Sequence, residues 1–172
     1  MGVLPIHHVS ISVSSLEKSL YFYRNLLKMK VTLEAEVSDH AHVKYLRLEP
    51  GTMGKAAMLQ VGPPLGAIQL IEWSTKPRMK DPNRPGNTGV FLLAFELKNE
   101  TIEEILCRLK EHEIHPWSAI VSSEIQNYGQ IRTVIVEDPD GIMIEFLELP
   151  SRDLIKQHRI AVHDVEKNLS QA

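Results

Sequence analysis

Residues 6–13, Ile-His-His-Val-Ser-Ile-Ser-Val, set His8, Ser10 and Ser12 against Val9, Ile11 and Val13. This period-two alternation predicts a strand buried on one side only, with a polar face that needs a purpose. His7 points away from His8 if that strand is regular. Ser14-Ser15-Leu16-Glu17 then has the Ser-x-x-Glu form of a capping box, and Leu16, Leu20, Tyr23 and Leu27 fall at helical spacing. A helix to about residue 28 is expected. Two β-rich stretches follow, at about 30–37 and 42–48, and Ala67–Trp73 closes the first half. The order is βαβββ. The longer segment between them, Pro50 to Gly66, has apolar residues flanked by Gly and Pro, as in a lid or wall; an extra hairpin or disorder fits it equally.

The second half repeats the order. Val90–Leu97 reads as a strand, and Asn99 can cap a helix carrying Ile102, Ile105, Leu106 and Leu109. Trp117–Ser122 is expected to be extended, and Ile131–Val136 and Ile142–Leu149 form the last pair. Asp138-Pro139-Asp140-Gly141 between them is a turn, because Pro presets its own φ and Gly accepts a positive one. Residues 74–89 hold three prolines without apolar periodicity and read as a connector. The expected organisation is therefore one domain over 5–149, with module one at 5–73 and module two at 90–149. A weakly amphipathic tail over 150–172 can form a helix on a neighbouring subunit or fray.

Composition narrows the function classes. With 172 residues, 43% hydrophobic and 24% charged, the chain matches an ordinary globular protein that buries one real core. A net charge of −3 gives no electrostatic reason to expect nucleic acid. Cys107 is the only cysteine, which rules out an internal disulfide and a cysteine-rich zinc site. No apolar run reaches membrane-spanning length, and the first residues lack a basic stretch followed by a long apolar one. A cytoplasmic protein without membrane or nucleic-acid partners is expected.

The internal duplication sets positions in correspondence. His8 lies on the first strand of module one as Leu92 does in module two, and Gln69 lies on the last strand as Glu145 does. His8, Gln69 and Glu145 are metal-capable, and symmetry predicts that the four positions converge. His8-Val-Ser-Ile-Ser-Val, Leu16-Glu-Lys-Ser-Leu-Tyr-Phe-Tyr-Arg-Asn-Leu-Leu, Ala94-Phe95-Glu96-Leu97, and Asp138-Pro-Asp-Gly with Glu145 together resemble the vicinal oxygen chelate superfamily. That superfamily includes glyoxalase I, methylmalonyl-CoA epimerase, extradiol dioxygenases and fosfomycin-resistance enzymes, and the resemblance covers roughly residues 5–149. It implies an α+β fold of two βαβββ modules forming a cupped, open mixed sheet around a cleft. It also implies a divalent metal ion held by His8, Gln69 and Glu145. Gln at the second position is similar to the epimerase set, whereas Leu92 departs from the His of both epimerase and glyoxalase I. A leucine has no lone pair to donate, so the metal keeps at most three protein ligands.

The activity so implied is that of an isomerase or lyase acting on a small carbonyl or carboxylate substrate through a metal-stabilised enolate. Glu145 is also the candidate catalytic group, as a base after leaving the metal; Glu72 and Lys44 are the other candidates for the base, and alternation, which turns Glu72 away from Gln69, counts against Glu72. The alternative is a metal-free protein of the same fold that binds or sequesters a small molecule, which Leu92 favours. A third reading is an Fe(II) dioxygenase, which needs two His where only His8 is available. Metal identity and substrate are left open, and a homodimer is what the resemblance implies.

Blander roles compete at each position. A strand His often makes only a structural hydrogen bond, Glu145 can pair with Arg132 or Arg47, and Gln69 tolerates burial if its amide is satisfied. Tyr45, Arg47, Tyr128 and Arg132 can supply polar contacts. Trp73 shares Gln69's face and can line a pocket wall or pack in the core. Met53, Met58 and Met143 can line a pocket or fill gaps. His40, His42, His112, His115, His158 and His163 lack a spacing that nominates a site.

Overall fold

The computed structural model describes residues 6–37, 46, 48–62, 66–75, 84–86, 88–125 and 128–150. The chain divides into two compact units, Met1–Pro82 with Asp138–Gly141, and Asn83–Glu137 with Ile142–Ala172.

In the first unit β1 (His8–Ser12) leads into α1 (Leu16–Leu20), which widens into a π-helical turn over Tyr21–Leu26. Then come β2 (Lys30–Val37), β3 (Gly54–Gln60) and β4 (Ala67–Trp73). Together they form a four-stranded mixed sheet in the order β1-β4-β3-β2, β1 parallel to β4 and the other pairs antiparallel. The second unit repeats this with β5 (Leu92–Glu96), α2 (Ile102–Lys110), β6 (Val121–Ile125), β7 (Gly129–Glu137) and β8 (Met143–Glu148), ordered β5-β8-β7-β6. Two unclosed mixed sheets in an α+β chain of two βαβββ units are the architecture read from the sequence.

Alternation decides which face of the first sheet is covered. Ile11, Val13, Ile68, Leu70 and Leu59 are buried, and α1 packs on β3 and β4. Phe22 and Tyr23 are adjacent in sequence yet both fully buried, within the stretch where the helix is wider than an α-helix. The Tyr23 hydroxyl donates to Asp138 Oδ2 at 2.8 Å. Burial, reinforced by the Asp138 charge, holds that phenol far above the usual tyrosine range. The Asp-Pro-Asp-Gly turn is further tied by Asp140, whose Oδ1 accepts the Ser14 amide at 3.1 Å. Asp138 Oδ1 accepts from the Asp140 amide at 2.9 Å, and Gly141 takes φ 79°, the conformation for which a glycine is suited.

Each helix begins on a carboxylate from the last strand of its own unit. Glu72 Oε2 accepts the Leu16 amide at 2.7 Å, and Glu148 Oε1 accepts the Ile102 amide at 2.6 Å. These acceptors satisfy amide groups that a helix start leaves without intrahelical partners. In the second unit Ile102, Ile105 and Leu109 are buried together with Val134, Val136, Ile144 and Phe146.

Several local expectations are corrected. Ser15, not Ser14, caps α1, and its side chain accepts from the Lys18 amide, so Glu17 does not complete a box. The capping box belongs instead to α2, where Thr101 and Glu104 exchange bonds, and Asn99 takes φ 60° outside the helix. Between Pro50 and Gly66 the strand β3 pairs antiparallel with β2 and with the following β4, so of the alternatives for this segment the hairpin is the one found. Most of 42–48, the connector and residues 151–172 lie outside the described residues, as do Lys44, Tyr45, Arg47, His40, His42, His158 and His163.

Candidate functional site

The face of the first sheet opposite α1 is built in three rows that run across the strands. Leu33, Met58, Gln69 and Ser10 form one row, and Ala35, Ala56, Ile71 and Ser12 the next. Val37, Gly54 and Trp73 form the third. The face borders a cavity of about 470 Å³ that Leu46 and Leu48 also line. That size falls in the range of small-molecule pockets.

Two hydroxyls of β1 organise its polar seam. Ser10 donates to Gln69 Oε1 at 2.7 Å, which fixes how the amide is turned. Ser12 Oγ accepts from the Trp73 indole N–H at 3.0 Å. Gly54 lets the indole approach the sheet, since a Cβ there would lie 2.9 Å from the ring's Cε3. Trp73 therefore combines the two roles considered for it: it packs on the buried cluster Val37, Ala56 and Ile71, and it lines the cavity.

His8 opens β1 on the same face as Ser10 and Gln69 and is exposed. His7 does not point away from it. It precedes the strand, so alternation does not govern it, and the two imidazoles meet edge to face with their Nδ1 atoms 2.8 Å apart. One ring must donate and the other accept, which ties the two tautomers together.

In the second unit the registers reproduce those of the first. Ser10 stands opposite Gln69 with His8 two residues earlier, and Ala94 stands opposite Glu145 with Leu92 two residues earlier. The correspondence of His8 with Leu92 and of Gln69 with Glu145 therefore holds within each sheet. Glu145 is half-buried, and its Oε1 accepts from the Thr133 hydroxyl at 2.6 Å. It does not pair with Arg132, which reaches Glu103 and Glu148 instead. The hydrogen bond between Arg132 and Glu103 lowers the Glu103 pKa and, with the Glu148 and Glu103 charges, raises that of Arg132. Among the described residues no group of three or more His, Cys, Asp and Glu comes together.

Of the remaining candidates, Glu72 is removed as a base beside Gln69, because it faces the helix and is bonded to its first amide. Met58 lines the cavity, Met143 is buried, and Met53 is half exposed. His112 and His115 are exposed near the end of α2, and the Tyr128 amide donates to the Ile125 carbonyl at 2.9 Å in the turn before β7. Reading by residue type passed over Ser10, Ser12 and Thr133, whose hydroxyls orient the larger polar groups. The polar face of β1 was the available signal for the first two.

Among solved structures, a glyoxalase family protein from Bacillus cereus matches over 88% of this chain and 97% of its own, at 22% identity and TM-score 0.74. One from Enterococcus faecalis matches over 83% and 96%, at 24% identity and TM-score 0.59. Glyoxalase I of Leishmania major, described as trypanothione-dependent, matches over 99% and 100%, at 20% identity and TM-score 0.58. At these identities the likeness is one of fold. No helix among the described residues is long and apolar enough to cross a membrane. The profile of the Glyoxalase/Bleomycin resistance protein/Dioxygenase superfamily matches residues 5–146, which is most of the sequence, and the chain belongs to that superfamily.

Proposed function

We propose that this protein is an isomerase or lyase for a small carbonyl or carboxylate compound, with a divalent cation held by His8, Gln69 and Glu145. The observation that supports this reading is the matched register of the two units: His8 and Gln69 share one face of the first sheet, where Gln69 lines a cavity, and Glu145 has the position equivalent to Gln69. The donor set suits the cation chemically: an imidazole nitrogen, an amide oxygen and a carboxylate, all acceptable to a hard or borderline metal. The Ser10 bond turns the Gln69 oxygen in a defined direction and leaves it a second lone pair. Thr133 does the same for one oxygen of Glu145. When bound, a cation with open positions polarises a substrate carbonyl and favours loss of a neighbouring proton. Glu145, once released from the cation, is the proposed acceptor of that proton. A small-molecule substrate, a homodimer and a cytoplasmic setting complete the proposal.

The test is elemental analysis of protein purified without chelator, alongside His8→Ala and Glu145→Ala. Stoichiometric metal in the parent and loss in both variants is the expected result. A second reading, a metal-free binder on the same cavity, is favoured by Leu92, which supplies no lone pair at the position equivalent to His8. Absence of metal after incubation with Mn, Co, Ni and Zn would select it.

A further inference from the structure

The cavity face is shaped for a particular ligand outline. On β2 and β3 its central row presents only the methyl groups of Ala35 and Ala56, beside Ile71 and Ser12 of the same row. On one side of this low floor stands the Trp73 indole, tethered to Ser12. On the other stand Met58, Leu33 and the Gln69 amide. With the Gln69 oxygen turned toward Ser10, the amide nitrogen carries the donors that a ligand can meet, and no bond among the described residues uses them. Trp73 has its N–H already engaged, so what it offers a ligand is its aromatic surface.

We propose that the cavity takes a compound with a flat aromatic body and a carbonyl-type oxygen, an aryl ketone or aldehyde, with the ring over the Ala35–Ala56 floor against Trp73 and the oxygen on Gln69 Nε2. This rests on the reading that the cavity is a small-molecule site, and it holds whether or not a cation is bound. Small floor residues admit a planar ring near the sheet, whereas a bulkier saturated ring would be lifted from it. The hydrogen-bonding end and the apolar end are fixed by different rows, so each can be removed separately.

The experiment uses the full chain labelled with 5-fluorotryptophan, in which the resonances of Trp73 and Trp117 are assigned through Trp117→Phe. Acetophenone, cyclohexyl methyl ketone and ethylbenzene are titrated to their solubility limits. Acetophenone is expected to move the Trp73 resonance and leave that of Trp117 in place. Replacing the aromatic ring by its saturated counterpart weakens binding about three- to tenfold. Loss of the oxygen in ethylbenzene weakens it about tenfold, and Gln69→Leu erases the difference between acetophenone and ethylbenzene. Ala56→Leu, with cooperative unfolding retained, fills the floor and abolishes the acetophenone response. Equal binding of the saturated ketone overturns the aromatic assignment, and equal binding of ethylbenzene overturns the role given to Gln69; either leaves the cavity as a binding site. No response of Trp73 to any of the three overturns both the ligand class and the cavity as a site.

Discussion

Replacing Tyr23 by Phe removes one atom from a fully buried side chain and should cost the fold a measurable amount. The hydroxyl donates to Asp138 Oδ2 at 2.8 Å, and Asp138 is 5% exposed. A hydrogen bond to a charged acceptor contributes about 1.5–3 kcal/mol, so Tyr23→Phe should lower unfolding free energy by about 2 kcal/mol near pH 7. The pH dependence supplies an independent reading. Burial, and then the Asp138 charge, raise the Tyr23 pKa above its ordinary value of 10.0. Above that pH the unfolded chain loses this proton while the folded chain keeps it, so the unfolded state binds fewer protons and stability falls as pH rises. Below it the contribution is fully present. The parent should therefore lose up to about 1.4 kcal/mol per pH unit above roughly pH 10 through this group, a slope that Tyr23→Phe lacks. Urea unfolding followed by far-ultraviolet circular dichroism at neutral and alkaline pH measures both quantities. A Tyr23→Phe variant within about 0.5 kcal/mol of the parent at neutral pH, with the same alkaline slope, would refute the assignment of this bond as a structural anchor.

Three further outcomes are expected. Gly54→Ala places a methyl against the Trp73 ring and 3.2 Å from the Glu72 carbonyl, so it should cost about 1–3 kcal/mol and shift Trp73 emission in a Trp117→Phe background. Unchanged emission would mean that the indole is held elsewhere. Thr101→Ala removes the capping box of α2 and should destabilise by about 1 kcal/mol, with faster amide exchange at the start of that helix. Glu148→Ala withdraws the acceptor of the Ile102 amide and one of two carboxylates on Arg132, so its cost, read by urea unfolding, should be about 1–2 kcal/mol and exceed that of Glu103→Ala.

The strands that carry His8, Gln69 and Glu145 were legible in the sequence as short apolar runs bounded by turn residues. The alternation around His8 identified β1 and its polar face, and the correspondence of Gln69 with Glu145 followed from element order. β3 was not legible, for a physical reason: Gly54 lies against the Trp73 ring and Ala56 and Met58 face the cavity, while Ala57 and Leu59 lie under the helix. With small or apolar residues on both faces, Gly-Lys-Ala-Ala-Met-Leu-Gln shows no alternation, and its alanines carry little β propensity. The helix starts were misplaced by a residue or two, since Ser14 and Ser15 have the same chemistry and only the backbone distinguishes the capping residue.

The chain by itself determined a duplicated βαβββ order, the burial of one sheet face under a helix, and the residue types at the four equivalent positions, because these follow from local periodicity and turn chemistry. Tertiary structure alone decided that Ser10 orients Gln69 across 59 residues of sequence, that Tyr23 reaches Asp138 across 115, and that Glu72 serves a helix rather than the cavity. Such partners are chosen by strand register and by packing in space. No local pattern of hydrophobic and polar residues carries that information.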